Sequence, residues 1–418
     1  MIVHSASKLL LICLALALTL TFGISPLLAQ DHEDHKVIVV GDLHGDYAAY
    51  RDTMAAAGLS DRAGHWTGTD ATLVQMGDIV DRGPDSLAII ADLRELARRA
   101  PRQGGQVIVL IGNHEAMNAM GDLRYVDPGE YAAFVDEASQ ERRERVFQAN
   151  RATIEQFFAA AEPPLDATQA REAWMADYPL GKVEHRLAWS PRGEIRAWAG
   201  QLPAAVLIDG TLFVHGGLSA EYAVHSLVSL NQIVQDGIRG AGDTQHSPVL
   251  DDPLGPLWYR GNIFRDVQAA AALGLAVEGA DSPDQNLCES PCHPPGPGDL
   301  PFSLQRAEGC PHPANDPTVD GEDCEPTRLS IDEELEFVLA AYGARRMVVA
   351  HTPSLEGIVS RPDGRLIRAD TGISSHYGGP RSYLEIHHGH THAWERMPGG
   401  EWQRSRLPEP ETRESPVP

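Results

Sequence analysis

Positive charge is what this sequence has too little of: 34 lysines and arginines stand against 59 aspartates and glutamates, a net charge of −25 at pH 7. That deficit excludes sequence-independent attraction to nucleic acid or to an anionic membrane surface, both of which need clustered cations. Anionic substrates stay open, provided that a site brings its own positive charge through metals or a few placed arginines. Internal repeats are absent, which excludes a solenoid. Cysteine is scarce, at five, and a long apolar run occurs only near the N-terminus. What is present is globular in composition, 42% hydrophobic and 22% charged, and 418 residues suffice for one large domain or two ordinary ones.

The apolar run reads as a signal peptide. Lys8 makes a short basic start, Leu9 to Phe22 is unbroken, and Gly23 and Pro26 interrupt it before Leu27-Leu28-Ala29. An uncleaved anchor would need roughly 20 apolar residues without such breakers. Cleavage near Ala29 removes one charged residue, Lys8, and takes the net charge from −25 to −26. The expected protein is exported, periplasmic or secreted, with no stable membrane anchor after cleavage. Cys13 leaves with the signal, so four cysteines remain: Cys288, Cys292, Cys310 and Cys324. They fall in a Pro/Gly-rich insert, about 281–326, where two disulfides are expected. The alternative, a zinc knuckle with His293 and His312, suits the C-x3-C and C-x13-C spacing less well. The pairing is open.

Short β-branched runs alternate with helical stretches through the first third of the chain. Val37–Val40, Thr72–Met76 and Val107–Ile111 read as buried strands, with helices over Tyr47–Ala57 and about Pro84–Arg99. Asp46 is the expected N-cap of the first helix, Gly58 its stop, and Pro84 the first-turn residue of the second. Continuous apolar strands of this kind predict an α/β fold whose sheet is covered on both faces. From about 127 to 199 the sequence turns charged and helical, with Val146, Phe147, Ile154 and Phe157-Phe158 at helical spacing. Asp209-Gly210 marks a hairpin between Ala205–Ile208 and Leu212–Val214. A helix over Asp332–Tyr342 and strands at Met347–Val349, Leu366–Ala369 and Tyr383–His387 complete the pattern, which spans about 36–387 as one domain. Proline-rich 407–418 reads as a disordered tail.

Polar clusters follow five of these strands. They are Gly41-Asp42-Leu43-His44-Gly45, Gly77-Asp78-Ile79-Val80-Asp81-Arg82-Gly83, Gly112-Asn113-His114-Glu115, His215-Gly216-Gly217 and Ala350-His351-Thr352-Pro353. Asp42, Asp78 and Asn113 are spaced 36 and 35 residues apart, one βαβ repeat each, so they emerge side by side at one sheet edge. Each cluster alone is ordinary loop chemistry, but oxygen and nitrogen ligands at five strand ends have no packing reason. Together they describe a two-metal site. One divalent ion would take Asp42, His44 and Asp78, and the other Asp78, Asn113, His215 and His351, with Asp78 bridging through its two oxygens. Carboxylate, amide and imidazole ligands without thiolate suit Mn, Fe or Zn better than Cu(I) or an Fe–S cluster; Mn is the expected ion, with Fe or Zn as alternatives. Paired ions activate a water as hydroxide and clamp the attacking and leaving oxygens of an in-line displacement, the chemistry of phosphoester hydrolysis.

With its GDxHG, GDxxDRG and GNHE motifs the chain resembles the calcineurin-like metallophosphatases, in their phosphoprotein phosphatase branch. Gly112–Val126 (GNHEAMNAMGDLRYV), Leu257–Gly261 (LWYRG) and Arg346–Pro353 (RMVVAHTP) resemble the Shewanella-like, or bacterial-like, protein phosphatases most closely. The resemblance implies a β-sandwich flanked by helices, with residues 127–199 as a helical cap. It implies metal ligation by Asp42, His44, Asp78, Asn113, His215 and His351. It further implies that His114 is the general acid oriented by Asp81, and that Arg82, Arg260 and Asn113 grip the phosphate.

The resemblance is not complete. Where animal and plant members carry S-A-P-N-Y, this chain has Asp370-Thr371-Gly372-Ile373-Ser374, as Shewanella-like members do. Inhibitor sensitivity and regulatory-subunit binding therefore do not transfer. The expected substrate is a phosphoprotein, with a lean toward phosphotyrosine over phosphoserine or phosphothreonine. The alternative is a nucleotide or other small phosphoester, since diadenosine-tetraphosphate hydrolases share two of the motifs. His387, His388, His390 and His392, and His32 and His35, are read as exposed strand and tail residues rather than ligands.

Overall fold

The central strands are short, largely apolar runs buried on both faces, and this dictates a layered sandwich. The structure, a computed structural model, describes residues 35–240, 247–263, 304–305 and 327–411. The expected signal peptide, all five cysteines and most of the insert lie outside the described residues, as do 412–418.

The chain begins with β1 (Val37–Val40), α1 (Tyr47–Ala56), β2 (Thr72–Gln75), α2 (Ser86–Arg99) and β3 (Gln106–Val109), two successive parallel crossovers. Asp46 caps α1 as expected, accepting from Ala49 N–H at 2.8 Å. Pro84 lies outside α2, however, because Asp85 takes the N-cap position. Next come α3 (Asn113–Met120) and the expected helical insertion: α4 (Pro128–Ala132), α5 (Ser139–Ala159), α6 (Ala167–Asp177), α7 (Lys182–Ala188) and α8 (Glu194–Ala199). Phe147, Ile154 and Trp174 bind α5 to α6. Phe157, expected on that apolar face, is 71% exposed and stacks edge-on against Phe158 instead.

The hairpin β4 (Ala205–Ile208) and β5 (Thr211–Val214) turns at Asp209 and Gly210, whose φ of 46° and 72° are those of a two-residue primed turn. There follow α9 (Leu227–Gly240), the short pair β6 (Leu304–Gln305) and β7 (Thr327–Arg328), then α10 (Ile331–Tyr342). Helix α10 opens on a capping box between Ser330 and Glu333. The last strands are β8 (Arg346–Val349), β9 (Val359–Ser360), β10 (Leu366–Arg368), β11 (Ser382–His387), β12 (His390–Arg396) and β13 (Trp402–Arg406).

Two sheets result. One runs β13-β12-β11-β1-β2-β3 and the other β4-β5-β8-β10-β9. Val37, Val39, Val74, Met76 and Leu110 of the first meet Phe213, Val348 and Ile367 of the second in the interior. The alternate residues Ile38, Val40 and Leu73 face outward onto Tyr50, Ile89 and Leu93 of α1 and α2. On the far side Leu212, Val214, Met347 and Val349 pack on Leu230, Leu335 and Val338 of α9 and α10. Each such side chain contributes about 1.5–3 kcal/mol on burial. The result is helix, sheet, sheet, helix, the α/β sandwich flanked by helices that was expected.

Two features depart from the sequence reading. The first sheet does not finish at His387 but adds β12 and β13, which carry it to Arg406. Residues 407–411 are docked rather than disordered. Leu407 N–H donates to Thr391 O at 2.9 Å, and Glu409 accepts from the buried Arg346 guanidinium at 2.5 Å. A buried cation needs a counter-charge, and here the tail supplies it. Among the described residues no helix is long and apolar enough to cross a membrane.

Candidate metal centre and catalytic dyad

The loops at the ends of β1, β2, β3, β5 and β8 converge, and their conformation is costly. Left-handed φ at non-glycine residues occurs at His44 (43°), Asp78 (49°), Asp81 (69°), Arg82 (64°) and His351 (62°). Each costs of order 1–3 kcal/mol, a cost that persists where packing over-determines a functional geometry. Glycine is needed beside them: a Cβ on Gly112 would stand 2.2 Å from Asp78 Oδ1.

All the sequence-predicted ligands are buried and close together. Asp78 Oδ2 lies 3.9 Å from His44 Nε2 on one side and 3.4 Å from His215 Nε2 on the other. Two groups of ligand atoms can each hold an ion, His44 with Asp78 and His114, and Asp78 with His215 and His351. Asp78 belongs to both, which is the bridging position expected of it. Asn113 Oδ1 stands 3.0 Å from His215 Nε2, and Asp42 Oδ1 3.8 Å from His215 Nδ1.

The donor set fits cations. His44 Nδ1 pairs with Val80 O at 3.1 Å and His215 Nδ1 with Met76 O at 2.8 Å, so each ring turns its Nε2 lone pair inward. At His215 that lone pair then faces the Asn113 oxygen, two acceptors with nothing between them to share. Asp42 Oδ1 and His351 Nε2 are buried with no hydrogen-bond partner. Unpaired buried acceptors are costly, and one or two cations at these positions satisfy all of them. Burial holds His44 and His351 well below the usual histidine range, the neutral state a metal requires, with His114 adding to the effect at His44 and Arg260 at His351.

Negative charge is concentrated here without metal. Burial, then Asp370 and Asp78, hold Asp42 well above the usual carboxylate range. At Asp78 burial acts in the same sense but is outweighed by His215, His114 and His44, and the group stays well below that range.

His114 sits apart in its bonding. Its Nδ1–H donates to Asp81 Oδ2 at 2.6 Å, and Asn118 holds the other Asp81 oxygen at 2.9 Å. His114 Nε2 is left facing the cluster, 3.9 Å from Asp78 Oδ2. Both arginines lie near the cluster, Arg82 acting on His44 and His114 and Arg260 on His351. Arg82 lies over the Tyr125 ring at 4.5 Å and the Tyr377 ring at 5.2 Å, and its Nη1 meets His376 Nε2 at 3.0 Å. Its Nε is buried without a partner, and Arg260 is near enough to act on His351.

Sequence reasoning passed over several residues. Glu115 was quoted only as the last letter of a motif, yet it accepts from Gly112, Asp78 and Ile79 N–H at 2.9, 3.0 and 2.8 Å and so ties two motif loops together. Burial and the Asp78 charge push its carboxyl up to about 7. Asp370, read as part of a divergent loop, is buried beside Asp42, and burial pushes it up to about 6. The Asp-Thr-Gly sequence was the available signal for Asp370.

The calcineurin-like phosphoesterase family model matches residues 35–354. The chain belongs to that family. By family it is a metal-dependent phosphatase. An uncharacterized protein of Schizosaccharomyces pombe is 28% identical over 360 residues, 84% of this chain and 76% of its own length. Shewanella-like protein phosphatase 2 of Arabidopsis thaliana is 31% identical over 218 residues, 51% of this chain, and the chain spans about half the length of that relative (54%). Among solved structures, a cold-active protein-tyrosine phosphatase of a psychrophilic Shewanella aligns with TM-score 0.54 at 19% identity, covering 89% of this chain and 82% of that one. That likeness is one of fold.

Proposed function

We propose that this protein is an exported phosphoprotein phosphatase with a dinuclear metal centre, manganese being the expected ion. One observation carries the reading. Asp78 stands between His44 Nε2 and His215 Nε2, while His114, whose Nδ1 is held by Asp81, presents its Nε2 to the same carboxylate. Asp42, His44 and Asp78 would hold one ion, and Asp78, Asn113, His215 and His351 the other. When bound, the ions supply the positive charge and water activation that in-line displacement at phosphorus requires. Arg82 and Arg260 grip the phosphate oxygens with guanidinium forks. His114, held protonated at Nδ1 by Asp81, gives its Nε2 proton to the departing oxygen. The Arabidopsis relative and the Shewanella fold, both protein phosphatases by name, support a phosphoprotein substrate. The Leu9–Phe22 run supports export.

The purified mature chain should hydrolyse p-nitrophenyl phosphate with added Mn²⁺ and lose activity in chelator. Turnover of phosphotyrosine peptides should exceed that of dinucleotide polyphosphates, and the reverse ranking would move the substrate to small phosphoesters. The extracytoplasmic form should begin near Gln30; an intact N-terminus would end the export reading.

A further inference from the structure

The helical insertion sends a buried acid beneath the catalytic dyad. Glu130, in α4, is 1% exposed and 49 residues from Asp81 in sequence. Its Oε2 accepts from Asp81 N–H at 3.2 Å and from Ser86 Oγ–H at 2.7 Å, at the start of α2. Its Oε1 faces His185 Nε2 of α7 at 3.2 Å, and His185 is itself fully buried. One carboxylate thus joins the catalytic loop, the first turn of a scaffold helix and a second helix of the insertion.

The loop needs such support. Asp81 and Arg82 are consecutive left-handed residues with side chains, a conformation that relaxes toward φ < 0 unless held. Arg82 N–H is held by Tyr125 O at 2.8 Å. Asp81 N–H is held by Glu130, and with that bond in place both Asp81 carboxylate oxygens stay on His114 and Asn118. Without it a buried N–H is left unpaired, and the backbone must move to find water or another acceptor. A movement of a few tenths of an ångström at Asp81 misaims the imidazole it orients.

We infer that Glu130 is a positioning residue that sets the Asp81–His114 dyad from the helical insertion, and so makes proton donation depend on that insertion being docked. Glu130 touches neither substrate nor ligands and acts only through Asp81. The inference rests on the reading of His114 as the general acid.

Leaving groups separate this role from a merely structural one. p-Nitrophenolate departs without help from an acid, whereas an alkoxide such as that from an alkyl or serine phosphate does not. Glu130→Met, which keeps the length but has no oxygen to accept from Asp81 N–H, should lower kcat for the alkyl phosphate about tenfold or more relative to p-nitrophenyl phosphate, with bound metal unchanged. In an Asp81→Asn background Glu130→Met should add nothing further. Equal loss on both substrates, no loss on either, or full additivity with Asp81→Asn would overturn the inference. A raised KM for phosphopeptides alone would also overturn it, since that is the mark of an acid that only docks the insertion. His114→Asn in the same assay separates the two readings. If it shows no leaving-group selectivity, the general-acid reading fails; if it does and Glu130→Met does not, only the present inference fails. Should Glu130→Met not fold, Glu130→Asp, whose shorter side chain withdraws from Asp81 N–H, must show the same selective loss.

Discussion

Asp81 uses both carboxylate oxygens and its backbone N–H at once, and the consequence is a buried histidine that holds its proton more tightly than usual. Burial alone would push His114 below the ordinary range, but Asp78 and Asp81 outweigh it and its affinity for protons is raised. A raised value keeps the proposed acid loaded as pH climbs. Asp81→Asn removes one of the two raising charges, so the alkaline limb of kcat for alkyl phosphates should move to lower pH, and kcat at pH 8 should fall on the order of 10²-fold. A pH–rate profile checks this, and a limb that stays in place would mean that Asp81 does not govern the proton on His114. The same residues show what was legible beforehand. Asp42, His44, Asp78, Asn113, His215 and His351 each follow a strand, and strand ends can be read from apolar runs. Glu130 and the site role of Asp370 could not be read that way, because their partners lie far off in sequence and only packing brings them near.

At the level of elements, the legible parts are those whose signal is local. Strand β1 is four branched apolar residues, and the turn between β4 and β5 is Asp-Gly with both φ positive. The alternating histidines marked the start of β12 as strand, but the rest of it and β13 escaped because their sequences, HTHAWER and WQRSR, carry polar residues on both faces. Their pairing comes from the register set by β11. The tail after β13 escaped for a different reason. Its proline content reads as disorder, whereas one acid, Glu409, pairs with Arg346 at 2.5 Å and also caps Thr391 N–H. Arg346 is 2% exposed, so losing its partner leaves a buried cation uncompensated. Glu409→Ala should destabilise the fold by about 3 kcal/mol, read as a lower denaturation midpoint with unchanged m-value. Arg346→Met with Glu409→Ala should recover much of that loss. A neutral Glu409→Ala would mean that the docked tail contributes nothing to stability.

Over the whole molecule, an excess of 25 negative charges surrounds a pocket meant for an anion, and the pocket itself is acidic until cations enter it. Asp42, Asp370 and Glu115 are all raised there by burial, with the Asp78 charge adding to it, Asp370 to about 6 and Glu115 to about 7 from ordinary values of 3.8 and 4.5. Carboxyls raised on folding stabilise the metal-free protein below their unfolded values and withdraw that stability as pH rises through the folded ones. The chelated protein should therefore lose stability between about pH 4 and pH 7. Divalent ions oppose this directly, by neutralising the cluster and by binding only the folded state, worth about 2.7 kcal/mol at a hundredfold excess over Kd. Their affinity also grows with pH, because ligands must shed protons first. Both effects have the same sign. The gap in melting temperature between Mn²⁺-loaded and chelated protein should widen from pH 5 to pH 8, as scanning calorimetry in matched buffers would record. A gap that narrows over that range would place the metal somewhere other than among these carboxylates.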